Sequence, residues 1–274
     1  MSAKAMIFID GSWLYHSRQA LFDALGANNG FEIDYNRIPD IITQAIAESL
    51  GENVDLIRTN YFGTIPVNKV GFNPAKQMAF YDFLAIQCGY DTEIVPIDFR
   101  KDPDAKPDDK WVNVALAAAM MQYAMIPAAV DIVVLVGGHS DYIPLLRRVR
   151  AAGKRVFLVA MNSTSPRNTL TSPALLTEPG LLDFPPLFLD QHSEDIRLVR
   201  AEQIRACKTC GREEKTTWAG PEFFCSACRA NHNKTIRKCD ICGAEEETAW
   251  DKPGFICSTC RRKQKAIQDA QSAQ

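Results

Sequence analysis

The sequence predicts an α/β protein: a mostly parallel sheet with helices on both faces, followed by two small C-terminal zinc ribbons. Three observations carry this expectation. Runs such as IVVLV at 132–136 and VFLVA at 156–160 are apolar throughout, as strands buried on both faces are. These runs alternate with segments of helical length and period. Beyond Arg200 the pattern changes to repeated Cys-x-x-Cys pairs.

In chain order, Ala5 to Ile9 reads as the first strand, ended by Asp10-Gly11-Ser12. A helix is expected from about Trp13 to Gly26, with Leu14, Leu21 and Leu25 on one face, then a turn at Asn28-Asn29-Gly30. Ile38 to Leu50 is a second helix closed by Gly51, and Val54 to Phe62 a strand. Residues 64–73 read as a Gly/Pro/Asn loop, Ala75 to Cys88 as a helix ended by Gly89, and Thr92 to Ile97 as a strand. Residues 98–109, DFRKDPDAKPDD, are too charged for a core. Lys110 to Met125 is Ala- and Met-rich and apolar nearly all round, which predicts a well-buried helix.

The stretch from Asp131 to Ala160 reads strand, tight loop, helix, turn, strand. Gly137 and Gly138 let the backbone turn after the strand. Ser140 or Asp141 can then cap a helix whose first turn holds Pro144, and Gly153 suits its C-terminus. Ligands in open α/β sheets lie at the carboxyl ends of strands, so His139, Ser140 and Asp141 are site candidates. Asp10 ends the first strand in the same way. If the two strands are neighbours, Asp10 and Asp141 share a crevice that could hold Mg²⁺ or Mn²⁺, although either acid alone also fits a simple helix cap.

Charge is unevenly placed. Residues 1–199 hold 17 Lys and Arg against 23 Asp and Glu, a net of −6, whereas residues 200–274 hold 14 against 10, a net of +4. The asymmetry marks two domains with different jobs and is compatible with a nucleic-acid partner. No unbroken run of about 18 apolar residues exists, so no membrane span is expected. The N-terminus enters a strand without a signal-peptide pattern, which makes a cytoplasmic location the expectation.

Eight of the nine cysteines lie in the second part. Cys207, Cys210, Cys225 and Cys228 recur at Cys239, Cys242, Cys257 and Cys260, each displaced by 32; Gly211, Trp218 and Phe223 recur as Gly243, Trp250 and Phe255. Each C-x₂-C-x₁₄-C-x₂-C unit can offer four thiolates to one tetrahedral Zn²⁺. So small a unit buries too little apolar surface to fold unaided, and the metal supplies the folding energy. Four thiolates leave no open position, so two structural Zn²⁺ are expected. Disulfides fit a chain without a secretion signal poorly. Cys88 stands apart as a small hydrophobe.

IFIDGSW, KWVNVALAAAMM and VLVGGHSDYIPLLRRVRAAGKRVFLV together resemble the three motifs of the NYN domain, a PIN-like ribonuclease family that includes LabA-like proteins. The resemblance spans residues 1 to about 160. It implies a parallel α/β sheet with an acidic Mg²⁺ or Mn²⁺ site at the strand ends and RNA as substrate. It also implies catalytic roles for Asp10, Lys110, Asn113, His139 and Asp141, with Asp10 and Asp141 binding the cation. The pattern departs at three positions. Trp13 stands where the family has Asn, and Asn113 and His139 stand where it has Asp. Asn and His can ligate a metal but do not offset its charge. Imidazole can also act as an acid or base. Asp108 and Asp109 lie just upstream of Lys110 and are candidates to replace the lost acid, although the spacing does not require it.

The resulting expectation is an NYN/PIN-like domain over residues 1–160, a closing segment over 161–200, and ribbons over 201–233 and 234–264. The leading function is metal-dependent RNA hydrolysis, with the ribbons aiding RNA binding. The alternatives are a degenerate domain that binds RNA without cutting it and an adaptor whose ribbons hold a protein partner or a second copy. Trp13, Tyr61 and Phe62 are either base-stacking platforms or core. Arg147, Arg148, Arg150, Lys154 and Arg155 are either an RNA guide or a solvated helix face.

Overall fold

The computed structural model describes residues 2–24, 32–69, 71–99, 110–162, 170–199, 202–218, 222–232, 235–248 and 254–262. Leu25, the turn at 28–30, most of the charged loop with Asp108 and Asp109, and Trp250 lie outside them. The chain forms two compact units, Met1–Leu198 and Val199–Gln274.

In the first unit, six strands form one parallel sheet in the order β3-β2-β1-β4-β5-β6. The strands are β1 (Ala3–Asp10), β2 (Val54–Val67), β3 (Asp91–Asp98), β4 (Ile132–Val136), β5 (Arg155–Ala160) and β6 (Leu187–Phe188). β1 is central, and successive side chains leave it on opposite faces. Ala5, Ile7 and Ile9 join one core with α1 (Gly11–Ala24), α2 (Arg37–Leu50) and α3 (Ala75–Ile86). Met6 and Phe8 join the other, with α4 (Lys110–Met125), α5 (Ile143–Ala151) and α6 (Pro173–Thr177). Asp10 continues the even-numbered series, so its carboxylate falls on the α4 face.

Four local expectations require correction. α1 begins at Gly11, directly after the strand, because Asp10 Oδ1 accepts the Trp13 N–H at 2.9 Å and supplies the cap itself. β2 runs on to Val67 instead of ending at Phe62. Its last residues, Gly63 to Val67, pair only with Ile94 to Asp98 of β3, since β1 stops opposite Phe62; Pro66 is tolerated where one ladder is absent. Neither Ser140 nor Asp141 caps α5. A 3₁₀ turn over Ser140–Tyr142 leads into it, and Pro144 in the first turn removes a donor that a cap would serve. Finally, α4 is not buried all round. A helix on the outside of a single sheet hides one stripe, here Val112, Leu116, Met120 and Ala124, and leaves Trp111, Val114 and Met125 more than 60 % exposed.

Residues 170–198 complete this unit. β6 adds to the sheet edge beside β5, and an isolated bridge joins Ile33 to Arg197. Trp13 is buried, and its indole Nε1–H donates to Leu170 O. Gly138 makes that crossing feasible, because a Cβ there would lie 2.2 Å from Leu170 O and 2.3 Å from Trp13 Nε1.

The second unit holds two hairpins built alike. β7 (Gln203–Ala206) pairs antiparallel with β8 (Glu213–Thr216), followed by α7 (Ser226–His232); β9 (Thr235–Lys238) pairs antiparallel with β10 (Glu245–Thr248). Gly211 and Gly243 both adopt φ 70°, the left-handed turn that glycine favours, and donate N–H to Cys207 O and Cys239 O at 2.8 Å. Among the described residues, no helix is long and apolar enough to cross a membrane.

Candidate functional site

The parallel pairing of β1 with β4 puts Asp10 and the Gly137-Gly138 loop at the point where the strand order reverses. Open α/β sheets form their ligand crevice there. Asp10 is fully buried. Its Oδ1 accepts from Trp13 N, and its Oδ2 accepts the Tyr142 hydroxyl at 2.9 Å. His139 Nε2 lies 4.0 Å from the same Oδ2, with the imidazole 44 % exposed. Asn113 Oδ1, from the first turn of α4, lies 2.8 Å from the Tyr142 hydroxyl. A hydroxyl carries one proton and cannot donate to two acceptors. The arrangement is satisfied when the Asn113 amide is turned so that its NH₂ donates to Tyr142 while Tyr142 donates to Asp10.

The crevice is therefore a hydrogen-bonded row of Asn113, Tyr142 and Asp10, with His139 at its mouth. Tyr142 is 1 % exposed and was not singled out as a site residue from sequence, although it sits inside the third motif. Its place after Asp141 and before a helix was the available signal. Asp141 and Ser140 are exposed on the 3₁₀ turn. Lys110 starts α4, and its side chain lies outside the described residues. Tyr61 and Phe62 are core, with Phe62 6.5 Å from the Phe8 ring. In the basic cluster, Arg147 pairs with Glu178, Arg150 pairs with Asp183 at 2.7 Å, and Arg155 lies over the Phe184 ring.

A hard divalent cation takes about six oxygen donors, of which Mg²⁺ usually keeps several as water beside one or two carboxylates free to bind it. The crevice offers one buried carboxylate, and both of its oxygens already accept protein hydrogens. Asn113 adds no charge, and His139 is a nitrogen donor. Among the described residues, no three carboxylate or imidazole groups of this crevice gather within 4.8 Å of one another. Among the described residues, this donor set is too poor in free carboxylate oxygens to hold Mg²⁺ or Mn²⁺ by itself.

The cysteines differ. Cys207, Cys210, Cys225 and Cys228 bring four sulfurs within 4.8 Å of one another, and so do Cys239, Cys242, Cys257 and Cys260. Cys210 to Cys225 and Cys242 to Cys257 are each 3.6 Å between sulfurs. Zn–S bonds of about 2.3 Å in a tetrahedron place sulfurs roughly 3.8 Å apart, so both clusters could hold zinc. Hydrogen bonds from the Cys225 and Cys257 backbones, respectively, lower the Cys207 and Cys239 thiols to about 6. Cys228 and Cys260 are pushed up to about 12, chiefly by Cys210 and Cys242 beside them. Four thiols this close cannot all ionise without a cation among them. Each unit also carries a buttress not foreseen from sequence. Glu214 accepts from the Ser226 N–H and hydroxyl, and Glu246 accepts likewise from Ser258. The Ser258 bonds hold the Glu246 carboxyl below its usual range.

A parallel α/β domain with a carboxylate at its switch point, followed by two four-cysteine clusters that resemble zinc ribbons, is a PIN-like architecture. The chain belongs to the NYN domain family, which matches residues 4–176. Among solved structures, it is similar to a protein of unknown function from Vibrio parahaemolyticus, with 23% identity and a TM-score of 0.48 over 72% of this chain and 97% of that one. No curated protein matches.

Proposed function

We propose that this is an RNA-binding NYN protein that does not cut RNA by a metal-dependent route, and that two Zn²⁺-closed ribbons help to hold the RNA. The observation that carries the reading is the Tyr142 hydroxyl between Asp10 and Asn113, which occupies the one buried carboxylate of the crevice. Family membership supports RNA as the partner. Lys215 and a half-exposed Trp218 on the first ribbon suit phosphate contact and base stacking.

The test is incubation of the zinc-loaded full chain with labelled single-stranded and hairpin RNA in Mg²⁺, Mn²⁺ or EDTA, beside Asp10→Asn. Metal-independent binding with intact RNA is the expected result. Cleavage that needs Mg²⁺ or Mn²⁺ and is lost in Asp10→Asn would overturn the reading in favour of hydrolysis through Asp10, Lys110, Asn113, His139 and Asp141. Absence of binding to either RNA would leave the ribbons as a protein-binding adaptor.

A further inference from the structure

On the other side of the β1 terminus, a cleft of about 690 Å³ opens between the start of α1 and the segment joining β2 to α3. Gly11 and Ser12 line it, so it shares the end of β1 with the Asp10 crevice. Its size suits one nucleotide-sized ligand. Its floor is rigid and already satisfied. The Tyr81 hydroxyl donates to Thr64 O at 2.7 Å and accepts from Gln77 Nε2 at 2.8 Å, and Tyr61 is buried beneath. The walls are not covered. Tyr15 is 56 % exposed and Phe72 37 %.

The charges around this cleft run against those of its domain. Residues 1–199 carry a net −6, yet the described lining includes Arg18, Lys76 and His16 and no acid. Among the described residues, neither Arg18 nor Lys76 is paired with a carboxylate, in contrast to Arg147 and Arg150. The Arg18 guanidinium lies 4.1 Å over the Tyr15 ring, where it can meet an anion while holding the ring in place. Exposed aromatic faces beside unpaired cations are the two components of single-strand recognition: the rings stack a base and the cations meet the phosphate.

We propose that this cleft is a nucleotide site, with a base held against Tyr15 and Phe72 and its phosphate met by Arg18 and Lys76. The proposal rests on the RNA-binding reading for its source, a unit of single-stranded RNA, although a free mononucleotide presents the same chemistry. Gly63 marks the close approach at the floor, since a Cβ there would lie 3.0 Å from the Tyr81 hydroxyl.

The experiment titrates the zinc-loaded full chain with fluorescent oligoadenylate and oligouridylate and, separately, with AMP and UMP. It compares wild type, Arg18→Ala/Lys76→Ala, Tyr15→Ala/Phe72→Ala and the control Arg147→Ala. All these positions are exposed, so the variants should fold, and matched melting curves check that. Each cleft double variant should weaken oligonucleotide binding by about ten-fold or more, with the charge variant also flattening the salt dependence, while Arg147→Ala changes little. Oligonucleotide binding unchanged in both double variants would overturn the cleft and leave the RNA reading standing. Mononucleotide binding lost in the double variants, with no oligonucleotide binding in wild type, would keep the cleft and remove the RNA reading. No binding of either ligand would overturn both.

Discussion

The Tyr142 hydroxyl donates to Asp10 Oδ2 across 2.9 Å, joining α5's entry turn to the end of β1 inside the core. That bond decides how Asp10 is used. A carboxylate at a strand end can face solvent and gather a cation, or it can be enclosed and satisfied by the protein. Here it caps α1 through Oδ1 and receives a phenol on Oδ2.

Tyr142→Phe removes one donor from a fully buried carboxylate while keeping the ring. The loss should cost about 1–3 kcal/mol, because the oxygen left behind stays desolvated. Urea denaturation of the two proteins measures it. Equal midpoints and slopes would show that the phenol contributes nothing to folding, and the enclosed-carboxylate account would fail.

Restoring the family's acids should reverse the preference. In Asn113→Asp/His139→Asp, three carboxylates stand where the wild type has one, and their mutual repulsion favours a bound cation. The double variant should melt lower than wild type in EDTA and regain stability with Mn²⁺ or Mg²⁺, whereas wild type should be indifferent to both. It should also cleave labelled RNA in Mn²⁺. Thermal melts that ignore the cation in both proteins would mean that charge at 113 and 139 is not what the crevice lacks.

Much of this was legible from the residues because periodicity and spacing are local properties. The order of strands and helices, the position of α4 from Lys110 to Met125 and the 32-residue cysteine repeat follow from runs of neighbours. What escaped depends on contacts between distant parts. Nothing near Trp13 indicates that its indole reaches Leu170, 157 residues away, or that Gly138 must lack a side chain for it to do so. Asp10 and Asp141 both follow strands, yet one is buried and the other exposed, because the 3₁₀ turn carries Tyr142 inward in place of Asp141. The exposed side of α4 was hidden for the same kind of reason: composition reports how apolar a helix is, not how many layers surround it.

Zinc content separates the two ribbons. The full chain should carry two Zn²⁺ by elemental analysis, and Cys207→Ser should remove one and leave the second, since each cluster draws its ligands from one repeat. Zinc uptake near neutral pH should release protons, including those of Cys228 and Cys260, whose thiols stand at about 12 without a cation. Calorimetry in two buffers of different ionisation enthalpy reads that release. Lowering the pH should expel the metal, because protons compete with zinc for the thiolates. Metal-free protein with full hairpin structure would remove zinc as the source of the ribbons' stability.

The first unit should lose stability in alkali through its tyrosines. Burial pushes the Tyr35 phenol up to about 12 and raises Tyr61, Tyr81 and Tyr90 as well. An unfolded phenol titrates near about 10. Above that value the unfolded chain gives up protons that the folded chain retains, so unfolding becomes more favourable as pH rises. The contribution is complete below about pH 10 and is lost progressively as pH rises toward the folded values. Urea midpoints should hold between about pH 8 and 9.5 and fall steeply by about pH 11, with tyrosinate absorbance appearing together with unfolding. Tyr90→Phe removes one titrating phenol, along with its 2.6 Å bond to Tyr35 O, and should start from a lower stability with a shallower alkaline fall. Full tyrosinate absorbance near pH 10 in a protein that is still folded would show that these rings are open to solvent, and the aromatic floor beneath the cleft would then lack the rigidity assigned to it.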